Sequence, residues 1–256
     1  MLFRSAELAG KTIAVPFWYS IHNVILQQLL RKEGLKVALS GEPSAANKTV
    51  KLVVLPPSEM PPALAAKTIA GYVVAEPFNA LAEVNGIGKI LRFTGDVWRD
   101  HACCVTVVRG DLVRSNPLAA QAIVDSIAQA QLWLNKNRTT ASDVLKNYLP
   151  QAPAAITKAL TSYSKADYPT AIQNEAWKSE RITFQPYPYA SYTTELIKQL
   201  RLTRVDDENI WLDKINLRTA HREFVAAGLA ERAINKLGGT RKFGLTSLTR
   251  KETIKP

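Results

Sequence analysis

The first 95 residues alternate short apolar runs, each closed by proline or glycine, with segments of helical periodicity, and few folds accommodate that alternation. Lys11–Pro16, KTIAVP, reads as a buried strand ended by proline. Ser20 is placed to cap a helix over Ile21–Glu33, whose Ile21, Val24, Ile25, Leu26, Leu29 and Leu30 form one apolar stripe, with Gly34 at its end. A polar loop over Ser40–Thr49 leads to a second strand, Val50–Leu55, and a helix from Ser58 with Pro61 and Pro62 in its first turn. A third strand, Ala70–Ala75, ends at Glu76-Pro77 before a helix over Phe78–Asn85; Gly86–Gly88 then turns into a fourth, Lys89–Thr94. Strand–helix repeated three times predicts an α/β fold: a parallel sheet with helices on both faces, which binds ligands at the carboxyl ends of its strands. The residues of interest therefore lie at Pro16–Ser20, Pro56–Ser58 and Glu76–Phe78.

Beyond residue 95 the pattern changes. Gly95–Ala102 is a polar loop, and Cys103–Val108 reads as one more strand of β-branched character. Helices are then expected over Pro117–Asn137, Thr140–Tyr148, residues 153–163, Thr193–Arg204 and Thr219–Leu237, the last ended by Gly238-Gly239, with an irregular aromatic stretch over Arg181–Ser191.

Composition narrows the function. No run of about 18 uncharged apolar residues is present to cross a membrane. Met1–Gly10 lacks an apolar core and carries Glu7, which is unlike a signal peptide. The net charge is +11, and residues 129–256 hold 20 of the 33 basic residues against 12 of the 22 acidic ones. That balance suits an anionic ligand or surface; with no nucleic-acid-binding signature, a solvated basic face with a frayed tail is the simpler reading. The two cysteines, Cys103 and Cys104, are adjacent, a spacing that rarely bridges. As soft metal ligands they would need partners nearby; within CCVTVV they read as small core residues.

The runs GKTIAVPFWYSIHN, PPSEMPPALAAKTIAGYVVAEPFNALAE and DVWRDHACCVTVV, with the later ITFQPYPYASYTTELIKQL and LGGTRKFGL, resemble the periplasmic substrate-binding proteins of ABC transporters, in the branch that takes up nitrate, bicarbonate, taurine and alkanesulfonates. The resemblance covers roughly residues 8–245 and implies a type II two-lobe periplasmic-binding-protein-like fold with ligand in the cleft. Residues 1–97 are expected to form the contiguous second lobe, and 98–256 the return into the first lobe plus C-terminal helices. Because the family opens with a signal or lipid anchor and a large part of the first lobe, the expectation is an N-terminally truncated relative. The implied partners are a small anionic ligand and a membrane ABC permease, with no nucleic acid, and the implied location is periplasmic or membrane-anchored on the extracytoplasmic side.

Six residues are candidates for ligand contact. Ser20 with the free N–H groups of its helix turn makes an anion site, or is an ordinary cap. His22 and Asn23 lie in the same turn and can donate to an oxyanion. Glu76 is unusual beside a bare anion; it would accept from a ligand amine, bind a cation, or hold the hinge. Trp98 and His101 sit on the crossover, where an aromatic would close over a ligand or pack the hinge. In nitrate- and bicarbonate-binding members a lysine follows this histidine closely, where this chain has Cys103 and Cys104. No GxSxG, HExxH or paired-carboxylate motif is present, so no catalytic residue, metal site or cofactor is expected and the chain reads as a binder. A ligand-sensing module, or an enzyme like the thiamine-pyrimidine synthases that share the second-lobe architecture, are the alternatives.

Overall fold

The computed structural model describes residues 5–161, 164–174 and 181–256. A four-stranded sheet opens the chain: β1 (Thr12–Val15), α1 (Ile21–Lys32), β2 (Lys36–Ala38), β3 (Thr49–Val54), α2 (Met60–Ala65) and β4 (Gly71–Tyr72). Helices follow: α3 (Phe78–Val84), α4 (Thr94–Val97), α5 (Gly110–Ser115), α6 (Pro117–Lys136), α7 (Arg138–Leu145), α8 (Pro153–Thr161), α9 (Ala190–Arg201), α10 (Ala220–Phe224) and α11 (Ala227–Lys236).

The strand order is β2-β3-β1-β4 and every pairing is parallel. β1 is hydrogen-bonded on both edges, with Thr12 opposite Lys51 and Ile13 opposite Gly71. Alternation along β1 sends Ile13 and Val15 to one face, where they pack with Leu26 and Leu30 of α1, and Ala14 to the other, where it meets Met60 of α2. The predicted parallel sheet with helices on both faces is therefore present. Its carboxyl edge delivers Ser20, whose Oγ accepts from the Asn23 N–H at 3.2 Å and starts α1.

Several predicted elements are shorter or absent. The third strand contracts to Gly71–Tyr72. Lys89–Thr94 joins no sheet: Ile90 and Phe93 pack against Tyr168, Ala171 and Ile172 instead, a case of tertiary contacts overriding strand propensity. Cys103–Val108 also forms no strand: it pairs with none of the four strands, and Val105 is 71% and Val107 87% exposed. β2, three residues long, falls where no strand was expected. The helix over 153–163 is α8 as far as Thr161, and its last two positions lie outside the described residues. α9 begins three residues earlier than the sequence suggests, and the single helix expected over Thr219–Leu237 is broken at Val225, whose backbone is extended. Periodicity continues through that break and does not register it.

The basic tail is not frayed. Ile254 bridges antiparallel to Trp98, Arg99 N–H donates to Thr253 O, and Lys255 N–H donates to Val97 O. Beside it Asp96, almost fully buried, accepts from Arg92 Nε at 2.6 Å and from the backbone N–H groups of Gln173 and Asn174 at 2.9 and 2.7 Å. This carboxylate fixes the 172–174 segment against α4. Asp96→Ala strands three donors together and is expected to cost about 3–5 kcal/mol, read as a lower urea midpoint at unchanged slope. Asp111→Ala, at an exposed site, is expected to leave the midpoint where it is.

Candidate functional site

Beside edge strand β4 and the first turn of α1 lies a cleft of about 2470 Å³, lined from both the α/β part and the helical part of the chain, while the residues after β1 and β3 (16–20 and 55–58) stay off it. Drug-sized ligands occupy about 300–1,000 Å³, so this is an open trough. Of the six candidate residues, His22, Glu76 and His101 line it; Ser20, Asn23 and Trp98 do not. Cys103, Cys104, Tyr192 and Arg181 also line it.

The three residues off the cleft are committed elsewhere. Ser20 caps α1. Asn23 is fully buried; its Nδ2 donates to Trp18 O at 2.7 Å and its Oδ1 accepts from Gln27, which in turn holds both backbone groups of Arg204. Trp98 is fully buried between α1 and α9, its ring 5.2 Å from that of Tyr192 and its Nε1 donating to Glu252 at 2.8 Å. It pins the C-terminal tail, and the sequence offered no sign of that partner 154 residues away.

The three residues on the cleft differ in character. Burial, reinforced by neighbouring His101, lowers the His22 pKa to about 4. Burial likewise lowers His101 to about 4, and its Nε2 lies 3.0 Å from Thr94 Oγ1. At neutral pH both imidazoles are uncharged and contribute dipoles and a single N–H each. Glu76 follows β4 at a cis Glu76–Pro77 bond. Its Oε1 takes Arg181 Nε at 2.5 Å, and its Oε2 takes the Ala80 N–H in the first turn of α3. Arg181 Nη1 binds Glu83 at 2.6 Å, and Glu83 also accepts from Tyr168 at 2.8 Å. Arg181 is 2% exposed at its side chain, with its guanidinium 5.5 Å from the centre of the Phe93 ring.

Sequence reasoning missed Arg181, Glu83 and Asp96. Glu83 lies on α3 and Glu76 precedes that helix by two residues, so helical spacing does not relate the two carboxylates. Arg181 carried no signal, being 105 residues from Glu76. The cysteines correct the core reading: both are exposed, because the segment that carries them packs against no sheet. Cys103 Sγ lies 3.6 Å from His22 Nε2 and 3.6 Å from Cys104 Sγ. Among the described residues no three His, Cys, Asp or Glu side chains are grouped to hold a metal ion, and no helix is long and apolar enough to cross a membrane.

Comparison with known proteins gives these features a context. Residues 2–147 match the NMT1-like family. The nitrate/nitrite binding protein NrtA of Nostoc sp. is 37% identical over 90 residues, which is 35% of this chain and 20% of that protein. The Synechocystis protein of the same name is 25% identical over 235 residues, 87% of this chain and 50% of its own length. The chain thus spans at most about half the length of these relatives. The crystal structure of the periplasmic nitrate-binding protein NrtA from Synechocystis superposes with a TM-score of 0.69 at 19% identity, covering 98% of this chain and 63% of that one. The α/β architecture is therefore that of the periplasmic binding proteins over part of their length.

The buried histidines give a pH prediction. Their folded pKa values, about 4, lie below the ordinary 6.5, so between those limits the unfolded chain binds more protons than the folded one. Their contribution is fully present above pH 6.5 and is lost as pH falls toward 4. Melting temperature is expected to drop across that window, and the drop is expected to shrink in His22→Gln. An equal drop in that variant would assign the acid sensitivity to other groups.

Proposed function

This chain belongs to the NMT1-like family, and we propose that it is a substrate-binding component of an ABC importer that holds a small anion, of the nitrate, bicarbonate or sulfonate class, in the cleft beside β4 and the first turn of α1. The observation that carries the reading is a cleft that gathers the first turn of α1, the segment after β4 and the crossover, and the relatives named above are binding proteins for a small oxyanion. Residues 1–97 would act as one lobe and 98–256 as the return into the other, on the extracytoplasmic side of the membrane, with a permease as partner.

In this reading the helix α1 presents His22 from its first turn, where the helix dipole favours negative charge, and Ser20 sets the direction of that turn. His101 faces the same trough from the crossover. Neutral imidazoles donate hydrogen bonds to an oxyanion without the charge that would hold it too tightly for release. Glu76 takes no part in ligand contact, since both of its oxygens are occupied. Asn23 and Trp98 serve the walls. Transport requires no chemistry on the ligand: binding that differs between open and closed arrangements suffices.

A thermal melt against nitrate, bicarbonate, taurine and an alkanesulfonate tests the proposal. A ligand at about 100 times its dissociation constant adds roughly 2.7 kcal/mol, a rise of about 5–10 °C for a chain of this size. One panel member is expected to raise the melt of the wild-type chain and to lose most of that effect in His22→Ala and His101→Ala. No rise with any member, or an equal rise in both variants, would contradict the reading.

A further inference from the structure

One stretch of the cleft wall has the composition of a strand and no sheet to join. From Cys104 to Arg109 the chain runs without helix, turn or bend. Val105, Thr106, Val107 and Val108 are all β-branched, the residue type that favours strands. Among the described residues, no backbone N–H or C=O of residues 104–108 is hydrogen-bonded to another protein group. Val105 and Val107, which strand alternation places on one face, are 71% and 87% exposed. A second stretch of strand composition, residues 89–92, lines the same cleft, and its backbone is likewise unpaired among the described residues. We propose that residues 104–108 are a docking edge on which an extended polypeptide segment adds as a β-strand inside the cleft, and that the segment recognised alternates β-branched with acidic residues.

The backbone identifies the class of ligand. A row of free N–H and C=O groups is the template on which another strand pairs. A polypeptide repeats donors and acceptors at the spacing such an edge needs, whereas a small anion can satisfy a donor or two and no acceptor. The room is present as well: the cleft measures about 2470 Å³, and five residues of strand run about 17 Å. Alternation then brings every second side chain of the incoming segment over Val105 and Val107.

Charge identifies the other half of the pattern. Lys89, Arg114, Arg222 and Lys242 line the cleft, and among the described residues no carboxylate is paired with any of them. Of the acidic residues on the same wall, Glu76 and Glu83 share Arg181, and Asp100 lies 3.6 Å from Arg99. That leaves Glu223 against four unpaired cations. An acidic strand is attracted to such a wall, whereas a second copy of this chain, at +11, is repelled by the first. The inference goes beyond the anion reading and does not rest on it, since the strand engages the backbone of 104–108 and not the imidazoles.

The test uses the full chain, kept reduced, with a labelled ten-residue peptide of alternating Val and Glu as the probe. Fluorescence anisotropy reads affinity, and amide hydrogen exchange reads position. The peptide is expected to bind saturably and to slow exchange at residues 104–108 at least tenfold. The same peptide with Lys for Glu, and a Val–Glu peptide N-methylated at every residue, are each expected to bind at least tenfold more weakly. Thr106→Pro and Val107→Pro each remove one N–H, on opposite edges of the strand. One of the two is expected to weaken binding at least tenfold and the other less. Circular dichroism checks both folds, and the double variant Val105→Ser/Val107→Ser reads the same contact without proline. No saturable binding, protection that misses 104–108, or undiminished binding of the Lys or the N-methylated peptide would each overturn the proposal. The anion reading is measured by the thermal melts alone, so either proposal can fail without the other.

Discussion

One guanidinium joins the two parts of this molecule. Arg181 reaches from the irregular segment ahead of α9 to Glu76 at the end of the sheet and to Glu83 on α3. Around it Phe93 supplies an aromatic face, and Tyr168 completes the hydrogen bonding of Glu83. Two carboxylates on one buried cation leave a residual negative charge that only good geometry tolerates, so the arrangement fixes position more than it adds stability. The wall of the cleft, from Glu76 to the return segment, takes its shape from this contact. A second fixed point lies at the other end, where Trp98 and Asp96 anchor the C-terminal tail and the 172–174 segment.

Between these fixed points the cleft is lined by basic residues, among them Arg99, Arg114, Arg222 and Lys242. Its histidines are held neutral by burial, and its strand-end glutamate shares Arg181 with Glu83. The chain's +11 charge is shared between this wall, the solvated surface and a tail that the structure ties down.

Much of the α/β part was legible because its signals are local. Proline after β1 and β3, the Ser20 cap and the stripe through Ile21 and Leu30 each depend on a few adjacent residues, and each was read correctly. Strands that need a neighbour were not legible: Lys89–Thr94 and Cys103–Val108 have strand composition, but neither pairs with any of the four strands. At the site, Ser20, His22, Asn23, Glu76, Trp98 and His101 were all picked from strand ends and the crossover. Local sequence could not reveal that Asn23, Trp98 and Glu76 are bound to partners such as Gln27, Glu252 and Arg181. Two of those partners are more than 100 residues distant, beyond the reach of any periodicity.

The chain has three histidines, two on the cleft and one, His221, off it and bonded to Thr193. Imidazole NMR of the full chain, titrated with the anion that raises its melting temperature, therefore carries its own control. The account predicts that the His22 and His101 ring signals shift together and saturate at one dissociation constant while His221 stays still. Shifts confined to His221, or no saturable shift at all, would contradict the assignment of this cleft as the binding site.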